Sequence, residues 1–207
     1  MGRLIQVRLT PRVTLQNFPA LKARKRSLIM IIACLGWGSL IWKPGALELA
    51  SEWFKDGPQL PIEFARVGDS GELATTICAN SRPCQVLWAV LQTASLADAY
   101  EALRLREQIP EGRDDGIGIF KVGGTPNGVI SEWASTRQVD AVIWTALPPR
   151  FEGMEGRIPS LDEAASYLSG LTGPTRDHAF QYISMVPAQV DTSYRREISK
   201  RLGQIER

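Results

Sequence analysis

Two short segments hold the residue types and spacings that could do chemistry. The first follows an apolar run and reads Gly36-Trp37-Gly38-Ser39-Leu40. Two glycines around one bulky residue allow a tight turn and leave backbone N–H groups unshielded. Such a loop can hold a carboxylate or an oxyanion. Glycines between a strand and a loop more often serve turn geometry alone, so this segment does not by itself assign a function.

The second segment is centred on Glu107, directly after the predicted end of a helix. The negative end of the helix dipole disfavours a carboxylate there. With partial burial, this position suits a group that exchanges protons near neutral pH. The alternative is an exposed, solvated carboxylate paired with Arg104 or Arg106, and spacing alone favours that alternative.

Apolar patterning predicts the elements that must position these two segments. Residues 28–35 form a continuous apolar run that ends at Gly36, which is typical of a buried strand leading into a loop. Ser95 is the predicted N-cap of an amphipathic helix, Leu96–Arg106, which ends just before Glu107. The first segment is therefore expected to follow a strand and the second to follow a helix.

The rest of the chain mixes strand and helix patterns. Further strands are predicted at 60–67, 73–78, 84–91, 117–122 and 140–147, the first two forming a hairpin. Further helices are predicted at 129–136, 161–171 (capped by Ser160), 175–185 and 193–205, with a short helix or turn at 46–53. No repeat or long linker divides the body, so residues 30–207 are expected to form a single domain.

Charge is distributed unevenly along the chain. Residues 1–29 contain no acid and seven cations, namely Arg3, Arg8, Arg12, Lys22, Arg24, Lys25 and Arg26. The remaining 17 basic and 22 acidic residues give the rest of the chain a net charge of −5. Nucleic-acid binding needs a concentrated basic face, so a mildly acidic body argues against a nucleic-acid partner.

The basic N-terminal segment has two interpretations. A basic run followed by an apolar stretch has the outline of a signal peptide, but no convincing small-x-small cleavage site follows. The apolar stretch is also shorter than the roughly 20 residues that span a bilayer, so no membrane association is expected. We favour the interpretation that residues 1–29 are a disordered extension, or that translation truly starts at Met30 and the upstream start is an artefact.

Cysteine and histidine usage limits the chemistry further. Cys34, Cys78 and Cys84 form an odd set without CxxC spacing, which predicts a reduced, cytoplasmic protein. Pairing of Cys78 with Cys84 across a turn is the less favoured alternative. His178 is the single histidine, which excludes a zinc site built on several histidines and any Ser-His-Asp triad that does not use it.

The two chemical segments, in this order, carry a resemblance to a known family. Residues 32–44 resemble the first strand and substrate loop of γ-glutamylcyclotransferases, especially the ChaC-type and AIG2-like enzymes, where a Gly-Tyr-Gly-Ser-Leu-like loop precedes Trp-x-Pro. Leu105-Arg106-Glu107 resembles the segment that carries the family's acid/base glutamate. Residues 173–175 and the helix containing Tyr182 look like the family's Gly-Pro-Ser turn and a downstream pocket element. Trp37 stands where the family usually has tyrosine.

The resemblance implies an α+β fold, a small mixed β-barrel with flanking helices. It implies acyl transfer, in which a γ-glutamyl amide cyclises to 5-oxoproline and releases its amine without metal or cofactor. Glu107 would be the catalytic acid/base, and the substrate-binding residues would be Gly36, Trp37, Gly38, Ser39, Leu40 and Tyr182. The partner would be a small γ-glutamyl or amino-acid-like ligand.

Two other functions remain open from the sequence. A catalytically silent protein could use the same pocket to bind a small metabolite or a peptide end. An accessory protein could use the basic residues of segment 1–29 to engage an anionic partner, in which case binding would weaken as salt is added.

Segment 1–29 lacks a periodic apolar face that could pack on the body. We therefore expect a shortened protein that begins at Met30 to fold with an unchanged Tm in a thermal melt. A large drop in Tm relative to the full chain would mean that the segment packs on the body.

Overall fold

The computed structural model describes residues 30–93, 95–126, 128–201 and 203. Segment 1–29, and with it the choice between an extension and a targeting signal, lies outside the described residues. The strands are β1 Ile32–Gly36, β2 Gln59–Leu60, β3 Ile62–Val67, β4 Leu73–Ile77, β5 Cys84–Gln85, β6 Leu87–Val90, β7 Ile117–Lys121, β8 Ala141–Thr145, β9 Arg150–Phe151 and β10 Met154–Glu155. The helices are α1 Leu96–Arg106, α2 Gly128–Ser135, α3 Leu161–Gly170, α4 Gly173–Met185 and α5 Ser193–Arg201. Among the described residues, no helix combines the length and apolar character needed to cross a membrane.

The central sheet has the strand order β6-β1-β8-β7, with β1 parallel to β8 and antiparallel to β6. Strand β1 is covered on both faces. Its Ile32 and Cys34 pack in a cluster with Leu103 of α1, whereas Ala33 and Leu35 belong to the larger core on the opposite face. Burial on both faces explains why this strand is a continuous apolar run rather than an alternating one.

A second sheet, ordered β10-β9-β3-β4, contains the predicted hairpin, and a short β2–β5 ladder forms a third. Only Pro61 separates β2 from β3, and the chain changes strand partners there because proline has no N–H to donate to a continuing ladder. The α+β class is confirmed. The barrel implied by the resemblance is not closed, since the described strands form three separate sheets.

Several local predictions are confirmed and others are corrected. Ser95 caps α1 by accepting from the N–H of Asp98, and Ser160 forms a capping box at α3. The predicted strand at 84–91 is instead two short strands, because both the N–H and the C=O of Val86 bond to residues 57–58. Of the two predictions for residues 46–53, a short helix or a turn, the structure shows turns, with one isolated bridge from Leu49 to Leu91. The last helix ends at Arg201, and residues 202 and 204–207 lie outside the described part.

A buried carboxylate on β3 fixes the start of helix α5. Glu63 accepts hydrogen bonds from the N–H groups of Phe64 (2.9 Å) and Tyr194 (3.2 Å), and further bonds come from the side chain of Thr192 and the backbone of Ser193. The positive end of the helix dipole favours an anion at this place. Burial nevertheless outweighs these bonds and raises the pKa of Glu63 above its ordinary value.

Glu63→Gln tests how this carboxyl group links pH to stability. Its raised folded-state pKa means that the native protein keeps a proton that the unfolded chain releases above about pH 4.5. The stability contributed by this proton is complete below that pH and is lost as pH rises through the folded pKa. We therefore expect the free energy of unfolding of the wild type, relative to the variant, to fall as pH rises above about 4.5 in urea titrations. A relative stability that rises with pH would contradict this assignment.

Candidate functional site

A cavity of about 460 Å³ lies among the end of β1, the β3–β4 hairpin, the end of α1, β8 and helix α4. The structure brings all the predicted catalytic and substrate-binding residues to its walls. They are Gly36, Trp37, Gly38, Ser39, Leu40, Glu107 and Tyr182. The three segments that carry them are far apart in the chain, so the cavity depends on the tertiary fold.

The loop that follows β1 turns tightly over residues 38–43. The N–H of Ile41 donates to the carbonyl of Gly38 (3.0 Å), and the N–H of Lys43 donates to the carbonyl of Ser39 (2.9 Å). The N–H groups at the start of this turn, on residues 38–40, have no acceptor among the described residues. Successive unpaired N–H groups of this kind can bind an anion.

Glu107 is the C-cap residue of α1, and its side chain is 14% exposed. One carboxylate oxygen, Oε1, accepts from Arg106 Nη1 (2.8 Å) and from Thr145 Oγ1 (3.0 Å). The other oxygen, Oε2, makes no hydrogen bond to the described residues. Glu107 is therefore paired with Arg106, as expected for an exposed surface carboxylate, but its side chain is largely buried. One oxygen is anchored and the other is available to a ligand.

Arg106 joins the two chemical segments. Its Nη2 donates to Ser39 Oγ (2.8 Å) and its Nε donates to the carbonyl of Lys43 (3.0 Å), while Nη1 holds Glu107. Sequence reasoning considered Arg106 only as a surface partner and did not consider Thr145. A possible signal for Arg106 was its place beside a glutamate at a helix end, where a basic side chain is also favoured.

Tyr182 closes the cavity from helix α4. Its hydroxyl lies 3.0 Å from Thr75 Oγ1, and it accepts from the N–H of Thr75 (3.3 Å). Burial raises the pKa of Tyr182, so the phenol stays protonated at neutral pH. Thr75 in turn donates through Oγ1 to the carbonyl of Trp37 (3.4 Å). The hydrogen bonds from Tyr182 to Thr75 and from Thr75 to Trp37 therefore connect helix α4 to the loop.

Gly38 is needed because there is no room for a side chain. Its φ lies outside the left-handed region, so its backbone conformation does not itself require glycine. A Cβ at this position would lie 2.5 Å from the hydroxyl oxygen of Tyr182 and 2.7 Å from Thr75 Oγ1. Both distances are well below ordinary contact, so any side chain would disturb the Tyr182–Thr75 pair.

The three cysteines and His178 are not among the residues that line the cavity. All three cysteines are buried free thiols, so Cys78 and Cys84 are not joined. Burial raises the pKa of Cys78 to about 12 and that of Cys84 to about 11, and it also raises the pKa of Cys34. In the described part of the chain, no group of three or more His, Cys, Asp or Glu side chains could hold a metal ion.

No protein-family model matches the sequence. A search of curated proteins also found no significant match.

Gly38→Ala measures how tightly the loop packs on Tyr182. We expect the free energy of unfolding to fall by about 1–3 kcal/mol, the usual cost of forcing extra volume into a packed site. Gly170→Ala is the matched control, because its added methyl meets no atom within 4 Å. The control should change stability by less than about 1 kcal/mol. Equal thermal melts for the two variants would show that the loop does not depend on this contact.

Proposed function

We propose that the protein is a γ-glutamylcyclotransferase-like enzyme that converts γ-glutamyl amides to 5-oxoproline and a free amine. The observation that carries this proposal is the pairing of a carboxylate that has one free oxygen with a loop that has unpaired N–H groups. Both line one cavity, and the side chain of Arg106 joins them. We extend the proposal to the fold, as a γ-glutamylcyclotransferase-like arrangement of the sheets around this cavity.

The proposed reaction is intramolecular. The α-nitrogen of the glutamyl group attacks the γ-carbonyl, a C–N bond forms to close a five-membered ring, and the bond to the leaving nitrogen breaks. Because nucleophile and electrophile belong to one molecule, folding the substrate into the reactive conformation supplies much of the rate enhancement. The α-nitrogen loses two protons between its ammonium form and the ring N–H, and Glu107 accepts each in turn and returns it to the leaving nitrogen, which departs as an ammonium ion. No water is consumed, because the nucleophile is part of the substrate.

The loop and its supports complete the proposed site. The N–H groups of residues 38–40 would hold the substrate carboxylate or the oxyanion that develops on the γ-carbonyl oxygen. Arg106 and Thr145 hold Oε1 of Glu107, which directs Oε2 toward the transferred proton. The small γ-glutamyl ligand needs no metal or cofactor for this chemistry. A cytoplasmic setting is part of the proposal, and the free thiols support it.

The alternative is a catalytically silent protein that binds a small amino-acid-like metabolite. Arg106 and Thr145 hold the carboxylate of Glu107 in one position. A site that only binds an ammonium group would also use a carboxylate held in this way. Release of 5-oxoproline separates the two functions, because binding alone produces none.

Glu107→Gln removes the proton carrier and keeps an oxygen that can accept from Arg106 and Thr145. We expect turnover of a panel of γ-glutamyl amides to fall by about 10²–10⁴-fold, the usual effect of losing a general acid/base, with little change in Tm. Glu101→Gln is the matched control on the same helix, since that side chain is half exposed and pairs with Arg104. The control should keep full activity.

Full turnover by a well-folded Glu107→Gln protein would rule out the catalytic role of Glu107. If the wild type releases no 5-oxoproline from any member of the panel but binds one of them in calorimetry, the binding function replaces the enzyme.

A further inference from the structure

Strand β7 lies at one side of the central sheet, and its outer edge has no strand partner among the described residues. Its antiparallel pairing with β8 runs in continuous register from Ile117 to Lys121. Natural proteins often prevent such an edge from pairing with another strand by placing a proline or a bulge in it. Neither interrupts β7. The outer edge of β7 can therefore accept a further strand.

Hydrogen bonds on the inner side of β7 show which of its backbone groups point outward. The N–H of Val122 donates to the carbonyl of Asp140 on the β8 side (2.9 Å). The carbonyl of Gly116 accepts from the N–H of Ala146, also on that side (2.8 Å). Bonding residues alternate along an antiparallel strand, so the even-numbered residues of β7 bond to β8 and the odd-numbered ones point away from it. The outward-pointing residues are Ile117, Ile119 and Lys121.

A second copy of β7 fits these outward groups in one antiparallel register, with Ile119 opposite Ile119 of the copy. The N–H and carbonyl of Ile119 then bond reciprocally to the same groups of the copy. At each end, the N–H of Lys121 donates to the carbonyl of Ile117 in the other chain. These groups have no other partner among the described residues, whereas the carbonyl of Lys121 already accepts from the N–H of Gly124 (2.9 Å).

The side chain at the centre of this register is apolar and exposed. Ile119 lies opposite Ile143, which belongs to the apolar cluster under α1, yet 43% of Ile119 is exposed. Leu105 in the last turn of α1 is also exposed. Contact between the Ile119 side chains of two copies would remove apolar surface from water, which favours association.

Charges of opposite sign lie at the two ends of β7. Lys121 ends the strand, and Asp114 lies three residues before its start. Both are exposed, and neither has an ion pair among the described residues. Antiparallel pairing brings Lys121 of each chain to the acidic end of the other. Segment 1–29 contains no acid and offers Lys121 no such partner, so charge favours a second copy over this segment.

We propose that β7 forms the interface of a symmetric dimer, in which the four-stranded central sheets of two chains join into one continuous sheet. This inference goes beyond the proposed function and does not depend on it. Because the strand has only five residues, we expect an interface near the low end of the size range, about 1,200 Å² or less. Such a dimer should dissociate on dilution.

Sedimentation velocity of the full chain at about 1–500 µM, a range that covers weak association, tests the proposal. We expect the average mass to rise from that of one chain toward that of two. Ile119→Lys should raise the Kd of the dimer by about 10-fold or more, because it replaces apolar contact with like charges placed directly opposite each other. Met185→Lys is the matched control, since that residue is 41% exposed at the end of α4, which packs on β4 of the second sheet. It should leave the Kd unchanged.

A charge exchange tests the register without changing Ile119. Lys121→Glu should raise the Kd roughly 3- to 10-fold, because it places like charges at both ends of the paired strands. Adding Asp114→Lys to this variant should restore most of the affinity, since the opposite charges again lie together. A double variant that associates more weakly than Lys121→Glu would contradict the antiparallel register.

Amide hydrogen exchange measures the edge in the unaltered protein. The N–H of Ile119 should exchange more slowly as the protein concentration rises, whereas the N–H of Phe120, which bonds to β8, should be protected at every concentration. A single-chain mass over the whole range, or a dimer that Ile119→Lys does not weaken, would overturn the proposal. Protection of the Ile119 N–H in a protein that stays monomeric would also overturn it, since another part of the same chain would then cover the edge.

Discussion

The guanidinium of Arg106 is the interaction on which the candidate site depends. It bonds to Ser39 in the loop, to the carbonyl of Lys43 just beyond the turn, and to the carboxylate of Glu107. Its side chain is only 10% exposed, so these three acceptors replace most of its contact with water. Removing one partner of a buried ion pair typically costs about 3–5 kcal/mol, because the other charge is left uncompensated. The loop and the carboxylate are therefore held in one geometry.

The topology of the central sheet brings the partners of Arg106 together. Strands β1 and β8 are parallel, with Cys34 opposite Ile143, so their carboxyl ends lie at the same edge of the sheet. The loop follows β1 at that edge, and Thr145 ends β8 there and reaches Glu107. Helix α1 packs on the same sheet through Ala99 and Leu103, which sets its last turn above both strand ends.

Local sequence patterns predicted the parts of the site that local forces determine. The apolar run before Gly36, the cap at Ser95 and the place of Glu107 at a helix end each depend on neighbours within a few residues. The contacts of Arg106 with Ser39 and of Thr145 with Glu107 join residues 67 and 38 positions apart, so spacing could not reveal them. The separation of the β2–β5 ladder from the second sheet depends on a change of strand partner at Pro61, which composition alone does not predict.

The same distinction explains the charges of the cavity. An arginine and a glutamate that are adjacent in sequence, such as Arg106 and Glu107, can be recognised as a pair, but the pair of Arg66 and Glu155, 89 positions apart, forms only because the fold brings the two together.

We propose that the loop and Glu107 act together on one glutamyl group. A crystal structure with 5-oxoproline tests it most directly. We expect the ring nitrogen to lie within hydrogen-bond distance of Glu107 Oε2 and a ligand oxygen to bind the N–H groups of residues 38–40. A ring bound away from both, or no binding in the cavity, would contradict it.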